Sequence, residues 1–356
     1  MPSRSSCVLS LLLALSCSTD PQAPATPPAS TGGTQNAGGG GSSSGAGGTT
    51  AAGGTAGGGS GGGGASNGGT SGGTAGSGGT AGSGGAPVVG WPENAVAAVT
   101  LTYDDGLDTH LHVAAPALAE HGLKGTFFLS NFEGVDHDWA LPNSEMVLTE
   151  RHQAWMALGA NGHELASHTV NHPCNSDSKA PGFRLTDYDM TRMAAELDDS
   201  IARLTALGGT APFTFAYPCS SDAVGLGAGG EDYSPLVGER FLAARVSQDG
   251  VNDPSTVDFL RVSNIDAGGK TGEELRAEVD QAIALGGWIV FLFHGVGTET
   301  LSCPGNLSYS PETCMINYLT TSAEAHASLA AYLAEKQDQV WTGTFKEVVQ
   351  SLSEAP

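Results

Sequence analysis

The stretch AVAAVTLTYDDGLDTHLHVAAPALAEHGLKGTFFLS (residues 95–130) contains the unit from which the fold is built. It begins with an apolar run rich in Val, Ala and Thr and ends with a second apolar run, GTFFLS (125–130), and each run favours a β-strand. The residues between them, 108–121, are typical of a helix. A strand, a helix and a second strand in this order predict two parallel strands joined by a helical crossover.

The same alternation continues to the end of the chain. Five further strands are predicted at residues 163–168, 212–218, 240–247, 258–265 and 288–295. Helices are predicted at residues 148–162, 185–209, 271–287, 322–337 and 344–354. About seven alternations indicate an α/β fold, either a barrel or a doubly wound sheet. In a barrel, reactive residues should cluster where the apolar runs end.

The residues before this region have a different composition. Between residues 31 and 86, 28 of 56 residues are glycine, and most of the others are Ser, Thr and Ala. Such a segment has too little apolar surface to offset its ordering entropy, so residues 18–86 are predicted to be a disordered Gly-rich tether. Residues 87–356 have ordinary globular composition and are long enough for one large domain.

The first 17 residues predict export. Arg4 precedes an apolar run, residues 8–15, that is too short to span a bilayer and is typical of a signal peptide. The sequence LALSC (13–17) resembles the lipobox of bacterial lipoproteins, although Ala14 stands where Leu is usual. We therefore expect a cell-envelope lipoprotein, anchored by a lipid on Cys17 at the outer membrane or cell surface. Simple secretion is the alternative.

The charge of the domain excludes one class of partner. Residues 87–356 contain 13 Lys and Arg residues against 36 Asp and Glu residues, a net charge of −23. This charge opposes binding to a nucleic-acid phosphate backbone, so we predict no nucleic-acid partner. The sequence contains no signal for an oligomeric state.

Reactive side chains follow three of the predicted strands. Asp104 and Asp105 end the first strand, His168 and His172 follow the third, and His294 ends the seventh. Taken singly, an Asp-Asp-Gly is usually a turn, and two histidines four residues apart are more often surface residues than metal ligands. Their coincidence at strand ends indicates one site. Two His and one carboxylate form a known ligand set for catalytic zinc, which activates water.

The motifs TYDDG, HTVNH, FAYP and LFHG resemble, in this order, those of the polysaccharide deacetylases, also called the NodB-homology family or carbohydrate esterase family four. The similarity extends over residues 97–351, and VWTGTFKEVV (340–349) resembles the family's closing strand and helix. The resemblance implies a distorted (β/α) barrel of about seven strands. It also implies metal-dependent hydrolysis of N-acetyl, sometimes O-acetyl, groups on an acetylated polysaccharide.

The resemblance assigns the metal ligands. Asp105, His168 and His172 would hold a divalent cation, and the ligand set favours Zn²⁺ while also accepting Co²⁺, Ni²⁺ or Fe²⁺. His163, although close in sequence, is expected to pack or form a hydrogen bond beneath the ligands.

The resemblance also assigns the reacting groups. Asp104 would be the general base, His294 the general acid, and Tyr217 would donate its backbone N–H to the oxyanion. The family often has an arginine where this chain has Ala216, and that arginine steadies the base. Our hypothesis is that Arg261, on the sixth predicted strand, takes its place.

Four cysteines in the domain permit three disulfide pairings. Cys303 and Cys314 bracket a short loop with prolines, which favours that pair and leaves Cys174 with Cys219. On the family's fold Cys174 and Cys219 would lie at neighbouring strand ends. Their disulfide would then brace the loop of metal ligands against the loop after the fourth strand.

Two other functions are open at this point. An O-acetyl esterase would use the same residues. A carbohydrate-binding envelope protein whose catalysis has decayed would account for the absence of arginine at position 216. Chitin, peptidoglycan, poly-N-acetylglucosamine and acetylxylan are all open as the polysaccharide, because no rule connects these loops with a particular sugar.

Overall fold

The structure is a computed structural model that describes residues 90–130, 132–133, 146–175, 179–225, 230–297 and 319–354. The predicted leader and tether (1–86) and the predicted Cys303–Cys314 disulfide lie outside the described residues. Within these ranges, no helix has both the length and the apolar character needed to cross a membrane.

Twelve strands occur in the described part of the chain. In chain order they are β1 (Ala97–Asp104), β2 (Thr126–Leu129), β3 (Glu164–Ser167), β4 (Phe215–Ala216), β5 (Ala223–Val224), β6 (Glu231–Asp232), β7 (Ala244–Asp249), β8 (Val262–Asp266), β9 (Trp288–Phe293), β10 (Val296–Gly297), β11 (Thr321–Ser322) and β12 (Val340–Thr342). The larger helices are α1 (Ala115–Glu120), α2 (Leu148–Ala160), α3 (Met190–Ala206), α4 (Ser234–Gly238), α5 (Gly272–Leu285), α6 (Ala323–Glu335) and α7 (Phe345–Glu354).

Seven parallel strands close into a barrel, which confirms the predicted fold class. Their order is β1-β2-β3-β4-β7-β8-β9, and the ring closes where β9 pairs with β1, from Ala98 opposite Trp288 to Tyr103 opposite Phe293. The short strand β12 adds to the sheet beside the first residues of β1. The seven barrel strands are those that the apolar runs predict.

Two of the predicted elements are shorter than expected, and in each case the local sequence gives the reason. The fourth strand contains only Phe215 and Ala216, because Pro212 and Pro218 cannot donate a backbone hydrogen bond to a sheet. The helix predicted from residue 185 begins at Met190, because the Asp189 side chain caps it by accepting the N–H of Arg192 at 2.7 Å.

Apolar side chains cover both faces of the barrel strands, in an outer layer and an inner layer. In β1, Val99, Leu101 and Tyr103 belong to the layer between the barrel and its helices, whereas Ala98 belongs to the layer that includes Trp288 and fills the barrel. Successive residues of a strand point to opposite faces, so Asp104 lies on the same interior face as Ala98.

Helix α7 closes the amino end of the barrel. The backbone N–H of Phe345 donates to Thr126 Oγ1 at 2.8 Å, and that of Lys346 donates to Glu164 Oε2 at 2.9 Å. The buried Glu164 carboxylate also accepts the hydroxyls of Thr126 and Thr214, at 2.8 and 2.5 Å. The amino end is therefore filled by protein, and a site must lie at the carboxyl ends of the strands.

Candidate metal centre

Three predicted ligands converge at the carboxyl ends of β1 and β3. One ligand atom from each of Asp105, His168 and His172 lies within 4.8 Å of the other two. The Nε2 atoms of His168 and His172 are 3.7 and 3.5 Å from Asp105 Oδ1. All three side chains are buried. His163 is not part of this group, because its Nδ1 accepts the N–H of Gly125 at 3.1 Å.

A tight turn places the two aspartates. Asp105 and Gly106 both have positive φ, 75° and 64°, so the chain reverses immediately after Asp104. The buried Arg151 of α2 donates from Nη2 to the Gly106 carbonyl at 2.7 Å. The Asp-Asp-Gly stretch is therefore a turn and also part of the site, so these two interpretations of the sequence do not exclude each other.

The segment between the two histidines is not a helical turn. Thr169 and His172 have positive φ, 65° and 47°, and the His172 N–H donates to Thr169 Oγ1 at 3.0 Å. This conformation brings the imidazoles of His168 and His172 within 4.7 Å of each other, measured between ring centroids.

The chemistry of the donors fits a divalent cation. His168 Nδ1 lies 2.8 Å from the Ala216 carbonyl, so this nitrogen carries the proton and Nε2 presents its lone pair to the site. Burial lowers the pKa of His168 to about 4, although Asp104 acts in the opposite direction. Burial, together with Lys179 and His168, also lowers the pKa of His172 well below its usual value. Both imidazoles are thus neutral near pH 7, as metal binding requires.

Arg245 holds Asp104. Its Nη2 lies 2.6 and 2.5 Å from the two carboxylate oxygens, and its Nη1 donates to Asn264 Oδ1 at 3.2 Å. Burial by itself would raise the pKa of Asp104, but Arg245, with His168 and His294, outweighs it and keeps the pKa below its usual value. Asp104 is therefore a carboxylate that is only 3% exposed.

The hypothesis that Arg261 steadies Asp104 is wrong. Arg261 pairs with Asp222, and its side chain is 42% exposed. It immediately precedes β8, whereas Arg245 lies within β7 opposite Ala216, where the small Ala216 side chain leaves room inside the barrel. The sequence did contain a signal for Arg245: it is a charged residue within the apolar run 240–247, and a buried charge needs a partner of opposite charge.

The expected role of Tyr217 also needs correction. Its backbone N–H donates to the Arg245 carbonyl at 3.1 Å as part of the β4–β7 pairing, so it is not available to an oxyanion. Pro218 has no N–H. The next donor is the N–H of Cys219, which makes no hydrogen bond within the described residues and has a φ of 50°. Pro218, which follows Tyr217, was the sequence signal that the N–H available to an oxyanion lies further along the chain.

His294 follows β9 at the same end of the barrel, and its ring is half-buried. Because Tyr103 lies opposite Phe293 in the β1–β9 pairing, Asp104 and His294 are the next residues at the carboxyl ends of two neighbouring strands. The buried His110 fixes the backbone here, because its Nε2 lies 2.6 Å from the His294 carbonyl. The predicted acid and the predicted base thus face one site.

The disulfide predicted between Cys174 and Cys219 is confirmed. The two sulfur atoms are 2.05 Å apart and the two Cα atoms 5.8 Å apart. The bond joins the loop that follows His172 to the loop that follows β4. It therefore ties together the two loops that contribute the imidazoles and the Cys219 N–H.

Residues 93–224 match the polysaccharide deacetylase family model. The fold is similar to that of a Mycobacterium smegmatis protein described as a polysaccharide deacetylase, with 17% identity, 74% of this chain and 92% of that chain covered, and a TM-score of 0.46. It is also similar to a chitin deacetylase from Colletotrichum lindemuthianum, with 18% identity, 70% and 86% covered, and a TM-score of 0.41.

One relative is named for a different activity. A gellan lyase from a Bacillus species is 24% identical over 284 residues, which is 74% of this chain. The chain spans 10% of the length of that relative.

Proposed function

We propose that the chain is a polysaccharide deacetylase that hydrolyses N-acetyl groups of a polysaccharide with the help of a divalent cation; the family match over residues 93–224 and the geometry of the site support this proposal. The observation that carries the proposal is the convergence of Asp105, His168 and His172 beside the ion-paired Asp104. A family match covers residues 93–224, whereas His294 and Arg245 come from strands beyond it.

Asp105, His168 and His172 would hold the cation, for which we propose Zn²⁺. When bound, such an ion lowers the pKa of water and polarises a carbonyl group. The protein contributes neutral imidazoles, one of them oriented through the Ala216 carbonyl. It also contributes a buried setting, in which charges act over short distances with little screening.

Asp104 is proposed as the general base. Its Oδ2 lies 3.6 Å from His168 Nε2, so the carboxylate borders the ligand group without being one of the three ligands. Arg245 keeps it ionised and fixes its orientation through both oxygens. As water attacks the acetyl carbon, Asp104 accepts the proton that the water loses.

The tetrahedral intermediate and the leaving group need two further donors. We assign the oxyanion donor to the Cys219 N–H, which the disulfide to Cys174 holds close to the loop of ligands. His294 would donate a proton to the amide nitrogen as the C–N bond breaks. The products are acetate and a free amino group on the sugar.

The test is acetate release by the purified chain from a panel of glycans, with and without a chelator. The panel contains chitin, peptidoglycan, poly-N-acetylglucosamine and acetylxylan. We expect release from an N-acetylated glycan, loss with chelator, and recovery when Zn²⁺ is restored. Undiminished release from a protein shown to be free of metal would refute the proposal.

Acetylxylan serves to test the alternative activity, because its acetyl groups are esters. Release from acetylxylan alone would identify an O-acetyl esterase that uses the same residues. A decayed carbohydrate-binding protein has lost its main support, because Arg245 supplies the guanidinium that position 216 lacks.

We propose that the enzyme works at the cell envelope, attached through a lipid on Cys17 and the glycine-rich residues 18–86. The support is the lipobox-like LALSC sequence. Expression of the Cys17→Ser variant in a bacterial host tests it. The wild type should sediment with membranes and the variant should be released; equal distribution of both would contradict anchoring.

A further inference from the structure

The five residues from His168 to His172, here called the metal loop, have all of their backbone N–H groups paired. The acceptors, in chain order, are Leu129 O at 2.9 Å, Ser167 Oγ at 3.2 Å, Glu196 Oε1 at 3.0 Å, Glu196 Oε1 again at 2.5 Å, and Thr169 Oγ1 at 3.0 Å. Two consecutive N–H groups, those of Val170 and Asn171, therefore depend on a single carboxylate oxygen outside the loop.

Glu196 supplies that carboxylate from the middle of α3, and its side chain is buried. Its second oxygen, Oε2, accepts Asn171 Nδ2 at 2.8 Å and the Tyr188 hydroxyl at 3.3 Å. Four donors thus converge on one carboxylate. Hydrogen bonds to a charged acceptor are about twice as strong as those between neutral groups.

The loop needs such an acceptor because its backbone is unusual. Thr169 and His172 have positive φ, a conformation that L-residues other than glycine rarely adopt. Between them, the N–H groups of Val170 and Asn171 point to the same side and form a small concave site for an anion. Glu196 is the anion that occupies it. The neighbouring Ser200, one turn later on α3, meets Ser167 Oγ at 2.8 Å.

We propose that Glu196 is a positioning residue of the metal centre. Its carboxylate holds Val170 and Asn171, and through them it sets the distance and angle between His168 and His172. This inference rests on the metal site of the proposed function. It assigns to α3, a helix that contributes no ligand, control over the affinity of the site for its cation.

The test is the affinity of the full chain for Zn²⁺, measured by competition with a chromogenic chelator. In the Glu196→Gln variant, the amide NH₂ would face Asn171 Nδ2, which is also a donor, and the charge that strengthens all four hydrogen bonds would be lost. We expect Zn²⁺ to bind about 10–100-fold more weakly, as when other groups that orient metal ligands are removed.

Glu164→Gln is the matched control. Glu164 is equally buried and accepts three hydrogen bonds, but it lies at the amino end of the barrel. Its variant should lose stability and keep the wild-type affinity for Zn²⁺. An equal loss of affinity in both variants would mean that Glu196 acts only through general stability and would overturn the inference.

The visible absorption of the Co²⁺-substituted protein provides a second measurement, because it reports ligand geometry. We expect the spectrum of Glu196→Gln to differ from that of the wild type, and the spectrum of Glu164→Gln to match it. If Glu196→Gln does not fold, Asn171→Ala decides the question. It removes one donor to Glu196 and should also weaken Zn²⁺ binding; unchanged affinity would overturn the inference.

These measurements separate the inference from the proposed function. A wild type that binds Zn²⁺ and releases no acetate from any glycan would refute the function, while a weaker Glu196→Gln would still support the role of Glu196. A wild type that binds acetylated glycans and no divalent metal would overturn both.

Discussion

A single guanidinium inside the barrel determines the state of the proposed base. Arg245 touches both oxygens of Asp104, and Asn264 and the ring of Phe128, 5.2 Å from the guanidinium carbon, surround it. Because both partners are buried, the ion pair is poorly screened, and removal of either partner leaves a charge that water cannot reach.

Replacement of Arg245 should therefore change the pH dependence of catalysis. In Arg245→Met, burial would act on Asp104 without its main opposing charge, so the pKa of Asp104 should rise. A base must be ionised to act, so the acid limb of kcat/KM should move to higher pH. We also expect a loss of about 3–5 kcal/mol in the free energy of unfolding. Arg261→Met is the matched control; an unchanged pH profile in Arg245→Met would contradict the assignment.

Substitution of Asp104 should distinguish its role from that of the adjacent Asp105. Asp104→Asn keeps the shape of the side chain but cannot accept a proton, so acetate release should fall by about 10²–10⁴-fold. Asp105, His168 and His172 are intact in this variant, so bound Zn²⁺, measured by elemental analysis, should remain. Loss of Zn²⁺ with activity retained would reverse the roles of the two carboxylates.

The loops after β3 and β4 both contain residues in the left-handed backbone conformation. Positive φ occurs at Thr169 and His172 in the first loop and at Cys219 and Ser220 in the second. The disulfide between Cys174 and Cys219 connects them across 45 residues of sequence. Each loop is thus held both by its own hydrogen bonds and by a covalent link to the other.

Removal of this disulfide should lower stability and metal affinity together. For a ring of this length, the loop-closure model predicts a loss of about 4 kcal/mol for Cys174→Ser/Cys219→Ser. Urea unfolding in the presence of a chelator measures the stability without metal, and chelator competition measures the Zn²⁺ affinity. Unchanged Zn²⁺ affinity would show that the disulfide does not support the metal loop.

Helix α6 docks on the barrel through a buried polar contact. His326 Nε2 lies 2.7 Å from the Tyr103 hydroxyl, and burial lowers the pKa of His326 to about 4. In the unfolded chain a histidine titrates near 6.5. The unfolded state therefore binds more protons between these values, and stability is lost as the pH falls from about 6.5 towards 4.

Replacement of His326 tests this source of acid sensitivity. In His326→Gln the side chain does not titrate, so the free energy of unfolding should depend less on pH between about 6.5 and 4. The difference from the wild type should reach a few kcal/mol at the acid end. His112→Gln, an exposed histidine, is the control. Parallel pH–stability curves for His326→Gln and the wild type would contradict the prediction.

At the scale of the whole molecule, charge is the dominant property. Residues 87–356 have a net charge of −23, so the domain is surrounded by a negative potential. The proposed reaction uncovers amino groups, which become cations near pH 7. A partly deacetylated chain should consequently be attracted to the enzyme more strongly than a neutral one.

This attraction predicts a salt dependence. The KM for a partly deacetylated glucosamine polymer should increase with NaCl, because the Debye length falls to about 10 Å at 0.1 M. The KM for a fully acetylated oligomer of equal length should change little. The same slope for both substrates would indicate that the surface charge does not act on the substrate.

The sequence by itself indicated an α/β fold and the positions of the candidate site residues. Apolar runs separated by helical stretches indicate parallel strands, and chemistry in such folds lies where strands end, so Asp104, Asp105, His168, His172 and His294 could be found by position along the chain. Both rules use only the order of residues along the chain, which the sequence states completely.

Only the tertiary structure decided which groups support these residues. Arg245 and Arg261 both lie within predicted strands, but the neighbouring strands determine which of them faces the barrel interior. The Tyr217 N–H donates to β7, so the next N–H without a partner among the described residues is that of Cys219. Glu196, which follows His172 by 24 residues in the sequence, contacts the metal loop from helix α3. These contacts depend on which strands and helices become neighbours, and the pattern along one strand carries no record of the side chain opposite it.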